Sequence, residues 1–360
     1  MRQLESSFAV GDVVRRFVCG VCAAVCALTM SVAPGQVAAA YAEGLGTQGT
    51  LAAQATTLEL RQTAATNTSV TVGWDAQSGL AKQMVQYTAY VNGATVASAD
   101  YFEIDADATS YTISGLQKDA VLTVTVRGFT QADAETYDYE TTGTLSDVKT
   151  KSSAVGTLSY YQPFDQGYYS TYNLSVSFTP SSQANADGYQ AVLYTKAGKK
   201  VETLTVSEYS TRATFSKAKL TRCYKVRIRP YVVLANTSTK VYGAWSSYLK
   251  AVPGAKMKSL SSKSVTKSKI KVQWSKVTGA SKYIVYVARS KGYTSSASNL
   301  SFKKVATLTK AKSSYTIKKV GSKKVNTKNY YYYVRIVTVA KYGSKTVKSK
   351  NVSALYCHKY

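Results

Sequence analysis

Between Lys269 and Tyr286 the chain reads K-I-K-V-Q-W-S-K-V-T-G-A-S-K-Y-I-V-Y. Ile270, Val272 and Trp274 alternate with Lys271, Gln273 and Ser275, and a second alternating run opens at Tyr283. A period of two puts apolar side chains on one face of a strand and polar ones on the other. Two earlier copies carry the same signal. Val70-x-Val72-x-Trp74 precedes Tyr87-x-Ala89-x-Val91, and Leu174-x-Val176-x-Phe178 precedes Tyr189-x-Ala191-x-Leu193. The large aromatic recurs at spacings of 104 and 96 residues. Several short alternating strands per repeat, with no helical periodicity, predict an all-β chain of three tandem antiparallel β-sandwiches.

The remaining strands fall at matching places. Tyr111-x-Ile113 and Leu116, Leu122-x-Val124-x-Val126 and a last strand beginning at Leu145–Val148 complete the first repeat. Tyr224-x-Val226-x-Ile228 serves the second, and Tyr315-x-Ile317 with Tyr332-x-Val334-x-Ile336 the third. Asn92-Gly93 is a type I′ hairpin turn, since both central residues of that turn need positive φ. Ala197-Gly198 occupies the same place in the second repeat. A Trp on the second strand, a Tyr opening the third and Y-x-V-x-I on the sixth resemble the fibronectin type III family. The likeness runs over roughly 300 residues and is strongest in Trp274–Tyr286. It implies seven strands in two sheets per repeat, and no chemistry, because a shared fold does not carry a shared function. Phe178 departs from the pattern, Arg212–Leu220 is a poor fifth strand, and Leu122 stands where the corner Tyr is expected. The resulting division is 57–152, 153–254 and 255–360, after a leader at 43–56.

The first 42 residues read as a secretory signal. Arg15 and Arg16 precede an apolar run from Phe17 to Val32, Pro34-Gly35 breaks it, and Ala40-Tyr41-Ala42 offers small residues for cleavage after Ala42. No transmembrane span is expected unless this signal stays uncleaved as an anchor. Cys19, Cys22 and Cys26 lie inside the run as small apolar filler, without a lipidation pattern. Cys223 and Cys357 remain. A repeat length of about 30 Å between them exceeds the roughly 7 Å that a disulfide tolerates, so no internal bridge is expected. The C-terminal residues Tyr356–Tyr360 show neither an apolar tail nor a sorting motif. A secreted or surface-associated protein is the expectation.

Charge is segregated along the chain. Residues 51–150 hold five Lys/Arg and twelve Asp/Glu, and residues 151–255 hold thirteen and four. Residues 256–360 hold twenty-five Lys/Arg and no carboxylate. A surface built only for solubility intersperses both signs. A one-sign module instead carries a field that attracts polyanions and that salt screens. The partners this implies are an anionic polymer, namely wall teichoic acid, extracellular DNA or an acidic host glycan, and self-association of acidic repeat 1 with basic repeat 3.

Tyrosine adds a second theme, with 30 in the chain and four consecutive at Tyr330–Tyr333. If Tyr332, Val334 and Ile336 face inward, Tyr331, Tyr333 and Arg335 face outward, beside Tyr286 on the neighbouring strand. With Lys271 these are the candidate binding residues, a face on which sugars or bases would stack. Cross-strand Tyr packing accounts for the same pattern and is the preferred reading. A carbohydrate-binding accessory module is therefore the alternative function.

Catalysis has little to work with. His358 is the only histidine, three residues from the end in a tail expected to fray, so neither a nucleophile–His arrangement nor an imidazole cluster is available. The acidic runs Glu103/Asp105/Asp107 and Asp133/Glu135/Asp138/Glu140 read as solvated loops, since the first lacks the Gly and closing Glu of a calcium loop. A glycosidase pair needs carboxyls facing across a cleft that nothing suggests. The third repeat, having no acid, cannot promote a Lys–Asn cross-link. An unrecognised enzyme is the last alternative. No cofactor is implied.

Overall fold

The computed structural model describes residues 55–135, 138–160, 174–180, 185–261, 263–295, 297–350 and 354–358. The expected signal at 1–42 and most of the leader lie outside these residues. Every regular element among them is a strand, and none is a helix long and apolar enough to cross a membrane.

The three alternating triplets each become the middle strand of a three-stranded sheet. Val70–Gly73 lies between Arg61–Ala65 and Ser110–Ile113, Leu174–Phe178 between Leu158–Tyr160 and Arg212–Phe215, and Lys269–Gln273 between Val265–Thr266 and Ser314–Ile317. A larger sheet faces each one. In the first sandwich it runs Ala94–Ile104, Lys82–Val91, Val121–Phe129, Thr141–Lys149, with Thr56–Thr57 added in parallel at the edge. The last strand thus begins four residues before Leu145, and Thr56, expected in the leader, is paired. The second has Lys200–Ser207, Gly188–Thr195, Tyr224–Val233 and Lys240–Tyr242, and the third Lys303–Thr309, Lys282–Ser290, Tyr331–Tyr342 and Lys345–Lys348. Leu249–Ala251 and Leu355–Cys357 pair with the long strands Tyr224–Val233 and Tyr331–Tyr342. Asn92 and Gly93 have φ of 51° and 78°, and Val91 pairs with Ala94, as a type I′ hairpin requires.

Each core is closed by the recurring aromatic. Trp74, Phe178 and Trp274 are buried. Trp74 Nε1 donates to Gln83 Oε1 at 3.0 Å, Phe178 meets Tyr189 edge-on at 4.8 Å, and Trp274 meets Tyr283 at 5.6 Å. Corner tyrosines occur where the sequence has them. Tyr224 Oη accepts from Lys219 N and Tyr332 Oη from Asn326 N, each at 2.8 Å. Leu122, a hydrocarbon at the matching place, makes no such bond.

Residues Ala52–Tyr360 form one compact unit, and polar contacts lock the sandwiches within it. At the first junction the fully buried Gln62 amide accepts from Lys149 N and Ala235 N and donates to Lys149 O at 2.7 Å. Asn236 Nδ2 donates to Leu60 O, and Lys149 Nζ bridges Asp147 and Asp187 at 2.9 and 2.5 Å. At the second junction Tyr342 Oη donates to Tyr224 O and Ala251 O. Cys223 N donates to Thr278 O, Thr278 N to Thr221 O, and Lys196 Nζ to Gly279 O.

Cys223 and Cys357 are unbridged and buried. The picture of two thiols a full repeat apart is too simple, however. Cys223 belongs by sequence to the second sandwich, yet it packs into the buried cluster of the third, which also contains Cys357. Burial raises the Cys223 thiol to about 11, against the partial pull of Lys196 and Tyr342, and raises Cys357 to about 12.

Candidate anion-binding surface

The candidate binding residues separate into three environments. Tyr286 and Arg335 are cross-strand partners on Lys282–Ser290 and Tyr331–Tyr342, as expected for neighbouring strands. Tyr331 shares their face and is half-buried. Lys271 is exposed on the three-stranded sheet, the opposite layer of the sandwich, and does not join them.

Tyr333 requires a correction. Its side chain alternates with Tyr332 as expected, but it is 3% exposed instead of facing solvent. The segment after Ser290 folds over this face, and Tyr333 Oη accepts from Thr294 N and donates to Thr294 O at 2.7 and 3.1 Å. Arg335 is held by the same segment. Its guanidinium lies 3.9 Å from the Phe302 ring centroid and donates to Ala297 O at 3.1 Å. Desolvation lowers its pKa from the ordinary value. Period-two alternation says which face a residue takes; it does not say whether a loop covers that face.

The aromatic surface that does reach solvent is smaller and displaced toward the C-terminus. Tyr293 and Tyr356 are 61% and 42% exposed, 5.5 Å apart edge-on, with Tyr331 about 6 Å from each (6.1 and 6.2 Å). His358 stacks on Tyr331 at 4.1 Å and 14°. Leu355–Cys357, just before His358, is paired into the sheet where fraying is expected from the sequence.

A second basic–aromatic arrangement escaped sequence reading. On the outer face of the second sandwich, Trp245 lies between Arg227 and Arg229, with centroid distances of 4.1 and 4.3 Å. Tyr194 and Tyr242 extend the alternation at 5.2 and 3.9 Å from the respective guanidinium groups. Arg227 and Arg229 stand two apart on one strand, the only sequence hint of the ladder. The rings come from two other segments, Tyr194 from Gly188–Thr195 and Tyr242 and Trp245 from the stretch 240–245.

The acidic loops of the first sandwich have their backbone carbonyls engaged from within. Gln83 Nε2 donates to Asp105 O, Ala106 O and Ala108 O, and Lys82 Nζ donates to Ala132 O and Ala134 O at 2.8 Å each. Adjacent residues at the start of one strand thus organise both loops by donating to carbonyl oxygens of the kind a calcium ion would need as ligands. Among the described residues no group of three or more His, Cys, Asp or Glu is placed to hold a metal ion.

Charge converges at the second junction. A cleft of about 330 Å³ is lined by Lys196, Lys225, Lys250, Lys341, Tyr248 and Tyr342, without a carboxylate. A neighbouring cleft of about 580 Å³ shares Lys196 and adds Lys199 and Arg222. The ion pairs recorded among the described residues, Arg61–Asp75, Lys149–Asp147 and Lys149–Asp187, all involve the first sandwich or its junction.

No family model matches the chain, and no curated protein matches it in sequence. Among solved structures, a two-domain fibronectin type III segment of chicken tenascin is 18% identical, covering 54% of this chain and 98% of its own, with a TM-score of 0.27. The FN1–FN3 domains of chicken CNTN1 are 14% identical, covering 82% and 98%, with a TM-score of 0.27. The internal strand order carries the fold assignment. These are tandem antiparallel β-sandwiches. A three-stranded sheet beside a five-stranded one recurs three times, two of them with a corner tyrosine.

Proposed function

We propose that this is an exported, non-catalytic tandem-sandwich protein of the cell surface or wall, which uses its third sandwich to hold an anionic polymer. The observation that carries the reading is the twenty-five Lys/Arg and zero carboxylates of residues 256–360. Such a module cannot satisfy its charge internally, so a polyanion is the natural counter-charge. Wall teichoic acid, extracellular DNA and acidic host glycans all supply it. The acidic first sandwich supplies it too, which makes head-to-tail self-association a competing use of the same surface. Export rests on the signal-like pattern of residues 15–42, and the junction bonds support a spacer that presents the basic sandwich in a fixed setting.

Retention of the full chain on immobilised teichoic acid, with elution by a salt gradient, tests the reading. Retention at low salt and release by salt is the expected result. Passage through the column at low salt contradicts it. The exposed Tyr293/Tyr331/Tyr356 group favours a second reading, a carbohydrate-binding accessory module. Stacking on neutral sugar survives high salt, so salt-resistant retention on a neutral glycan would select it.

A further inference from the structure

The lysines at the second junction are placed at a cost. Lys225 and Lys250 are direct partners across Tyr224–Val233 and Leu249–Ala251. Like charges facing each other across a strand pair are destabilising. Lys196 joins them from the turn after Gly188–Thr195, and Lys341 reaches the same cleft from the third sandwich. No carboxylate lines the cleft to relieve the repulsion. The walls are nonetheless fixed, by Tyr342 Oη on Tyr224 O and Ala251 O and by Lys196 Nζ on Gly279 O. Four cations held together in a built concavity with no internal counter-charge define an anion site.

We propose that this junction cleft is a specific binding track for a linear phosphodiester polymer without bases, formed only where the second and third sandwiches meet. The inference rests on the polyanion reading and extends it from the third sandwich to the junction, where Lys196, Lys225 and Lys250 come from the second sandwich and Lys341 from the third. Ammonium groups act as point charges toward phosphate and do not demand the planar fork geometry of arginine. The two clefts adjoin at Lys196, and neither is large enough for a folded partner. Cations lie over both lining rings, although Tyr248 keeps 44% of its surface exposed. Lys196 and Lys250 lie over Tyr342 at 5.7 and 5.8 Å, and Lys225 and Arg227 over Tyr248 at 5.7 and 5.3 Å. A base stacking on those faces would have to displace the cations.

The test uses the full chain and two probes, inorganic polyphosphate and oligothymidylate, with affinity read by titration at low salt. One variant carries Lys225→Gln, Lys250→Gln and Lys341→Gln. Its control carries Lys267→Gln, Lys269→Gln and Lys318→Gln, on exposed positions in or beside the three-stranded sheet. Both remove the same charge, and Lys196 is left intact because it ties the junction. The expected result is a loss of about tenfold or more for polyphosphate in the cleft variant and about threefold or less in the control. The cleft variant should melt no lower than the parent, since it relieves repulsion. Equal losses in the two variants overturn the cleft and leave a diffuse basic surface. Oligothymidylate binding as tightly as polyphosphate, with the same cleft sensitivity, overturns the base-free assignment. Absence of polyphosphate binding by the parent chain overturns the polyanion reading, and the cleft with it.

Discussion

At the scale of single residues, the junctions carry the sharpest predictions. Gln62 saturates both ends of its amide inside the first junction. Gln62→Leu keeps the bulk but strands the Lys149 N–H away from water, with a cost of about 2–4 kcal/mol on chemical unfolding. A loss below about 0.5 kcal/mol would mean that the junction is not held this way. Gly279 has φ of +89°, and a Cβ there would stand 3.1 Å from Cys223 Cβ and 3.2 Å from Lys196 Cδ. Gly279→Ala therefore costs about 1–3 kcal/mol through backbone strain and crowding, seen as a lowered melting temperature. Neither residue announces itself in the sequence. Gln62 is one polar residue in a strand of mixed composition, and Gly279 reads as an ordinary turn glycine until the second sandwich is placed against it. The recurring aromatic and the corner tyrosines were visible because each acts within its own repeat, at a fixed offset from its strand.

At the scale of elements, the Tyr331–Tyr342 strand shows what alternation can and cannot say. It assigns Tyr332, Val334 and Ile336 to the core correctly. It also assigns Tyr333 and Arg335 to the other face correctly, yet that face is partly roofed by the chain after Ser290. A loop's path depends on contacts distant in sequence, so no periodicity reports it. Arg335 is thereby a packing residue. Arg335→Ala loses its place over the Phe302 ring and its bond to Ala297 O, with an expected destabilisation of about 1–2 kcal/mol. Its effect on polyanion affinity should stay within about threefold, the share of one charge among many. Denaturant titration and a binding isotherm on the same sample check both halves. A large affinity loss at unchanged stability would restore Arg335 as a ligand contact. The Arg227–Trp245–Arg229 ladder was unreadable for the same reason, since its rings and cations lie on different segments.

At the scale of the whole molecule, both junctions share an alkaline limit. For Lys149, burial pulls the pKa down, but the bonds and charges of Asp187 and Asp147 outweigh it and leave it above the ordinary 10.5. Burial raises Cys223 from 9.0 to about 11 and raises Tyr342 above its ordinary 10.0. In each case the folded protein holds the proton more tightly than the unfolded chain. The associated stability is complete below the ordinary value and is lost as pH rises through the folded one. These groups predict level stability from neutrality to about pH 9 and a decline above it, approaching about 1.4 kcal/mol per pH unit for each titrating group. Unfolding midpoints measured across pH 7 to 11 should trace that shape, and a midpoint unchanged at the alkaline end would contradict it. The charge gradient is the other property of this scale, and it was fully readable because net charge needs no fold. Where that charge becomes concave was not, since the cleft exists only once two repeats meet.

The central claim, a polyanion held by the basic sandwich, is tested most directly by the salt dependence of binding. Affinity of the full chain for purified teichoic acid would be titrated from about 50 to about 200 mM salt and plotted as log K against log salt. Displacement of counterions from several phosphates predicts a straight line with a slope of about −3 or steeper. A flat line, or no binding at the lowest salt, would contradict the account.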